Sequence, residues 1–204
     1  MNHSTQRGFS LIEIAVSLAV MGILLASAMP SIGAWMGNTR IRNTAESINE
    51  GLQKARTEAV RRNVPITFYM VSLTDPKVLD NSCTLNATGG SWVVSALDPS
   101  LHCADSPSTT TSPKLVVARA VGDGGDGVSV SATQADGTSA ATSVTFNAFG
   151  QVTGSNPIGN IAVVSSTGGS DYRQLKLIVS TGGRILMCDQ GVSDTTDPRH
   201  CPAS

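Results

Sequence analysis

The chain has 204 residues, and its 14 basic and 15 acidic side chains give a formal net charge of -1. That length fits one domain plus an extension, and that balance carries no global signature of nucleic-acid binding, although a local basic patch is compatible with it. Only 14% of residues are charged and 4% aromatic, a composition that suits a β-rich, loop-heavy extracytoplasmic domain better than a cytosolic enzyme. Apolar β-branched runs recur through the second half and argue against disorder of the whole chain.

Residues Met1 to Gly8 are short, polar and basic through Arg7. From Phe9 to Met29 the chain is almost uninterruptedly apolar, long enough for a membrane span of about 20 residues. A secretory signal places its small-residue cleavage site after the apolar core. Here Gly8 precedes that core, so a cut after Gly8 leaves the hydrophobic segment attached and Phe9 at the mature N-terminus. Arg7 on one flank, with no further cation until Arg40 on the other, orients the N-terminus to the cytoplasm. Inside the segment stands Glu13, whose insertion costs about 2.5–3.5 kcal/mol at the bilayer centre. A carboxylate at that depth calls for a cationic partner. Ser10, Ser17, Gly22 and Ser27 are small or weakly polar, as in helices that pack against others in lipid.

Arg7-Gly8-Phe9-Ser10-Leu11-Ile12-Glu13 resembles the leader junction of type IV pilins and type II secretion pseudopilins. The junction Gly, the following Phe and a Glu at the fifth mature position all match. The resemblance implies that a prepilin peptidase removes residues 1–8, that Phe9 is N-methylated, and that Glu13 pairs with the N-terminal amine of a neighbouring subunit. It implies a helix at 9–29 that lies first in the inner membrane, crossing it once, and then in the core of a fibre.

Pro30 marks the end of the apolar segment or a kink in a longer helix. Over 30–63, Ile41, Ala45, Ile48, Leu52, Ala55 and Ala59 recur at spacings of four and three, an amphipathic helix with one narrow apolar face. Arg42, Asn43, Glu46, Asn49, Glu50, Gln53, Lys54, Arg56 and Glu58 are assigned to the opposite face. Glu50–Lys54 and Glu58–Arg62 are spaced as i,i+4 ion pairs. Arg61 and Arg62 suit the negative end of the helix dipole, and Pro65 stops the helix.

Eight β-branched segments follow within 64–204: residues 66–71, 92–97, 115–120, 128–132, 143–146, 161–165, 175–180 and 184–188. Thr181-Gly182-Gly183 joins the last two as a hairpin. The expected fold class is α+β, one long helix packed on antiparallel sheet. Residues 98–113 are expected as a surface loop with a disulfide at its base. Gly122-Asp123-Gly124-Gly125-Asp126-Gly127 resembles half a calcium loop but lacks further oxygen ligands at regular spacing, so it reads as a turn and no metal is assigned.

Cys83, Cys103, Cys188 and Cys201 include no CxxC, and their even number beyond an export-type N-terminus favours two disulfides. Three connectivities are open; Cys83–Cys103 and Cys188–Cys201 close the shortest loops. Beyond the leader there are two histidines, His102 and His200, both expected to be solvated. No Ser-His-Asp order, HExxH, P-loop or paired-carboxylate motif occurs, so neither enzymatic activity nor a cofactor is expected.

Arg56-Thr57-Glu58-Ala59-Val60-Arg61-Arg62, Gly90-Ser91-Trp92-Val93-Val94, Phe146-Asn147-Ala148-Phe149-Gly150 and Gly182-Gly183-Arg184-Ile185 resemble the GspH/FimT family of minor pseudopilins and minor pilins. The resemblance implies a pilin-like periplasmic domain over 64–204 and a minor pilin at the tip or in the initiation complex of a type IV pilus. Its partners would be other minor and major pilins or pseudopilins, the prepilin peptidase and the inner membrane. One alternative is a minor pseudopilin of type II secretion. Another is a DNA-uptake pilin, since some FimT-type proteins bind DNA through a Gly-Arg-x-Arg element. Gly183-Arg184-Ile185-Leu186 keeps its first Arg and lacks the second; Arg184, Arg173 and Lys176 are the candidate phosphate contacts, with acidic residues interspersed.

Overall fold

In the computed structural model, residues 10–202 are described, with all of their side chains except those of 26–31, 123 and 124. Helix α1 spans Leu11–Arg62, and the chain divides into two compact units, one up to Met36 and one from Gly37 onward.

In the first unit the helix begins with Ile14 N–H donating to the Ser10 carbonyl at 3.2 Å. Leu11, Ile12, Ile14, Val16, Leu18, Val20, Ile23, Leu24 and Leu25 are all exposed. Consecutive apolar residues point in all directions around a helix, so this segment is apolar all round rather than on one stripe. Among the described residues no helix is long and apolar enough to cross a membrane. The expected span at 9–29 includes Phe9 and the side chains of 26–29, which lie outside the described ones; what remains is shorter than the roughly 20 residues a span requires.

The second unit is built on the remainder of α1. Ile41, Ala45, Ile48, Leu52, Ala55 and Ala59 are all fully buried, so the stripe expected from their spacing is the face that packs. The strands are β1 (Ile66–Ser72), β2 (Thr84–Leu85), β3 (Ser91–Ser95), β4 (Leu115–Arg119), β5 (Val128–Thr133), β6 (Ser143–Phe146), β7 (Val152–Thr153), β8 (Asn160–Ser165), β9 (Leu175–Val179) and β10 (Ile185–Asp189). They form two sheets. One has the order β4-β3-β1-β6-β7, with β2 paired to the end of β1, and the other has the order β10-β9-β8-β5. Every strand pairing is antiparallel.

One core joins the helix to both sheets. Phe68, Met70, Trp92 and Phe146 enter it from the first sheet, and Ile161, Val163 and Leu177 from the second. The helix approaches the first sheet closely at Gly51, where a Cβ would stand 2.7 Å from the Phe68 ring and 2.8 Å from that of Trp92. The Trp92 indole donates to Ser47 Oγ at 3.0 Å, which satisfies its N–H at the helix surface.

Val71, Leu73, Val93 and Leu115 form a second apolar cluster around Cys83 and Cys103. The five residues of β3 are therefore all buried, because this strand is covered on both faces. The Cys83–Cys103 disulfide, with Cα atoms 6.2 Å apart, is a core element of that cluster. The 98–113 segment is mostly exposed, as expected of a surface loop, and the disulfide at its base is buried in that cluster. The second disulfide, Cys188–Cys201, ties the C-terminal tail to β10, and Asp189 N–H donates to the Arg199 carbonyl at 2.7 Å alongside it.

Candidate functional site

Gly8 and Phe9, the expected processing site, lie outside the described residues. Glu13 occupies the first turn of α1, where its backbone carbonyl accepts a hydrogen bond from Ser17 Oγ at 2.7 Å. Its side chain is exposed among exposed apolar neighbours. The positive end of the helix dipole favours a carboxylate at that position, and a helix surface of this composition is suited to apolar surroundings.

The other end of α1 carries a cluster of four charged side chains. The Glu58 carboxylate is only 6% exposed and is held by three cations: Arg61 Nη2 at 2.6 Å, Arg62 Nε at 2.7 Å and Lys54 Nζ at 3.2 Å. Burial pushes its pKa up, but the hydrogen bonds from Arg61, Arg62 and Lys54 outweigh that and bring it down to about 2. The spacing had assigned Glu58 to the solvent face. It follows Leu52 by six residues and Ala55 by three, and so sits at the border of the apolar stripe. Glu50 also differs from expectation: it pairs with Arg119 of β4 at 2.9 Å, while Lys54 turns to Glu58.

Arg56, nearly two turns before the end, is half-buried and donates from Nε to the Gly150 carbonyl at 3.2 Å. Gly150 closes the turn between β6 and β7, whose frame is Asn147. The Asn147 side-chain oxygen accepts from Phe149 N–H at 2.9 Å and Gln151 N–H at 3.0 Å. Its backbone N–H donates to the Gln151 carbonyl, and its carbonyl accepts from Gly150 N–H, both at 2.9 Å. Gly183, in the β9–β10 hairpin with φ 79°, is pressed so closely on the Gly150 carbonyl that a Cβ there would collide with it. Val152 N–H then donates to the Thr181 carbonyl at 3.0 Å. Three separate sequence motifs, around Arg56, Gly150 and Gly183, thus meet at one junction that fastens the helix end to a turn from each sheet. Phe149, at the tip of the first of these turns, is 84% exposed. The sequence reading missed this junction, because spacing along the chain carries no information on which turns touch.

The three candidate phosphate contacts are not brought together. Arg173 lies just before β9 and Arg184 just before β10, and the two strands run antiparallel, so the residues stand at opposite ends of the hairpin. Lys176 lies between, across from Cys188 in the register. Arg173 shares a pocket of about 220 Å³ with Arg42 and Arg199, but Glu46 and Asp189 also line it. Arg42 is engaged by Glu46 at 2.7 Å and Arg199 by Asp197 at 2.7 Å. Both histidines have partners: His102 Nδ1 meets Asp105 at 2.9 Å, and the half-buried His200 meets the Val192 carbonyl at 2.8 Å. The His200 ring is thereby part of the disulfide-closed tail, where a solvated side chain was expected. A cleft of about 380 Å³ is lined by Gly89, Ser91, Val121, Val130 and Asp126, and Lys77 faces the Asp126 carboxylate at 3.6 Å. Among the described residues no group of three or more His, Cys, Asp or Glu could hold a metal ion.

Residues 44–183 match the model of the family described as type II transport protein GspH, and residues 3–29 match the prokaryotic N-terminal methylation motif. No curated protein matches the chain. Among solved structures, two crystal forms of the type IV minor pilin FimU from Pseudomonas aeruginosa are similar at 19% identity. The first covers 73% of this chain and 88% of that one with a TM-score of 0.46, and the second 72% and 90% with 0.43.

Proposed function

Because the chain belongs to the GspH family of type II transport proteins and carries the N-terminal methylation motif of prepilins, we propose that it is a minor type IV pilin acting in pilus biogenesis. In this reading it is anchored in the inner membrane by a single span, and its domain from residue 64 onward faces the periplasm. A prepilin peptidase cuts between Gly8 and Phe9, and the chain then enters the fibre at its tip or in its initiation complex. The observation that carries this reading is the placement of Glu13 in a helix that is apolar all round. Such a helix gains by leaving lipid only for other apolar helices, and a carboxylate carried into lipid on it gains by meeting a cation. The amine freed by cleavage at Phe9 of a neighbouring subunit is such a cation. The role is structural: the family is one of structural pilins, and the chain's contribution is a contact rather than a reaction.

A minor pseudopilin of type II secretion is the second reading, favoured by the family's own description. The long Ser/Thr/Gly insertions support the pilus reading, while the two disulfides suit a domain in either the periplasm or a fibre outside the cell. The DNA-uptake reading has the least support. Phosphate binding needs several cations acting together, and Arg184 stands apart from Arg173.

The test is to shear surface fibres from cells making wild-type or Glu13→Ala chain and to quantify the chain in the fibre fraction and in the membrane. Wild-type chain in sheared pili, and Glu13→Ala chain retained in the membrane, is the expected result. Normal pilus-borne Glu13→Ala chain refutes the mechanism. Wild-type chain absent from pili, but co-purifying with a periplasmic pseudopilus, selects the second reading.

A further inference from the structure

Of the four phenylalanines in the chain, Phe68 and Phe146 are fully buried, while Phe149 is 84% exposed. The turn that carries it is held from several sides. Four hydrogen bonds within the turn hold residues 147–151. Arg56 clamps its Gly150 carbonyl from the helix, and Gly183 abuts the same carbonyl from the second sheet. A side chain on such a frame has little freedom of backbone to lose on binding, which lowers the entropic cost of engaging a partner. Rigid aromatics flanked by arginine are the residue types that anchor protein interfaces.

The surroundings specify the partner. Val60, itself exposed, stands against Gly150, where a Cβ would lie 3.3 Å from its Cγ2, and so adds exposed apolar area at the same turn. Arg56 reaches the turn itself through the Gly150 carbonyl, and the exposed Arg184 follows Gly183, which abuts the same carbonyl. Both of these charged side chains are cations.

We propose that Phe149 and Val60 form a docking knob for a neighbouring subunit of the same fibre, which receives the ring in an apolar hollow edged by carboxylates. This rests on the reading of the chain as a fibre subunit. Charge complementarity selects the carboxylates, and the isolated, protruding ring selects a hollow over a flat surface. The knob is a second contact, independent of the Glu13 contact, and gives the assembly selectivity that a uniformly apolar helix cannot supply.

The test uses the full chain in cells that make the fibre. A photo-reactive benzoylphenylalanine replaces Phe149, and adducts in the sheared fraction are identified by mass spectrometry. The expected product is a single adduct with another pilin-fold subunit, whose yield falls in an Arg184→Glu background. In parallel, Phe149→Ser chain is expected to keep its thermal unfolding temperature and to fall about ten-fold in the fibre fraction, as for loss of an interface hot spot. Phe149→Ser chain incorporated at the wild-type level overturns the proposal, as does an adduct only with lipid or nucleic acid. The Glu13→Ala arm separates the two readings. If wild-type chain enters the fibre in a Glu13-dependent way and Phe149→Ser is neutral, only the knob fails. If wild-type chain enters no fibre, both fail.

Discussion

Glu58→Gln removes one charge from the cluster that ends α1 and leaves its size and shape nearly unchanged. The folded carboxyl titrates at about 2 against an ordinary 4.5, and at 1.36 kcal/mol per pKa unit this sets a ceiling of about 3 kcal/mol on its contribution. The ceiling is too high, because Arg61 is 62% and Lys54 48% exposed. Solvent screening of such pairs brings the expected figure to about 1–2 kcal/mol. The sign follows from the depressed folded pKa. The contribution is fully present above pH 4.5 and is lost as the pH falls toward 2, with more than half gone by pH 3. Asp136 and Asp197 are also held near 2 by local hydrogen bonds, so the wild-type acid profile alone does not isolate Glu58. The difference between wild type and Glu58→Gln does. The assay is urea unfolding of the full chain in detergent micelles from pH 7 to pH 3, followed by tryptophan fluorescence, since the Trp92 ring is buried. Wild type should exceed the variant by about 1–2 kcal/mol at pH 7, with the gap closing by more than half at pH 3. A gap that is the same at both pH values refutes the ion-pair account.

Two further substitutions probe the fold around the site. Gly183→Ala places a Cβ into the Gly150 carbonyl at a positive φ, so the hairpin must shift; the expected cost is about 1–3 kcal/mol, read as a fall of several degrees in calorimetric melting temperature. Cys83→Ala combined with Cys103→Ala opens a loop of sequence separation 20 and should cost about 3 kcal/mol by loop entropy, with a further loss because both residues are buried in the second apolar cluster. An unfolding free energy within about 1 kcal/mol of wild type argues against that account of the staple.

The second half of the helix was legible because its apolar spacing has the helical period, and all six residues of the stripe are buried. Eight of the ten strands lie in the expected β-branched segments. The other two, Thr84–Leu85 and Val152–Thr153, have two residues each, too short for alternation to register. Two sheets in place of one could not be read, because period and composition set strands without setting which of them pair. The buried carboxylate failed for a different reason. Glu58 is charged, and only the convergence of Lys54, Arg61 and Arg62 makes its burial affordable. Burial of Cys83 and Cys103 depends in turn on Val71, Val93 and Leu115, which come from three different strands.

The junction at the helix end gives a physical reason to look beyond the turn itself for the role of Phe149. The turn requires Asn147, whose side chain caps two backbone N–H groups, and favours glycine at 150, where φ is 73° and Arg56 and Val60 crowd the place a Cβ would take. Nothing in that list requires an aromatic at 149: its backbone N–H takes part, but its side chain contributes nothing to closing the turn. In the unit from Gly37 onward, Phe68, Trp92 and Phe146 are placed in the core, where burial of a large ring is worth most. Phe149, held in water on a fixed frame, gains little from folding and presents apolar area that a partner surface could cover. On the proposed reading its position answers to assembly rather than to the fold, as does that of Glu13. The two differ in kind: Glu13 offers a charge that any freed N-terminal amine can meet, whereas Phe149 demands a hollow of matching shape.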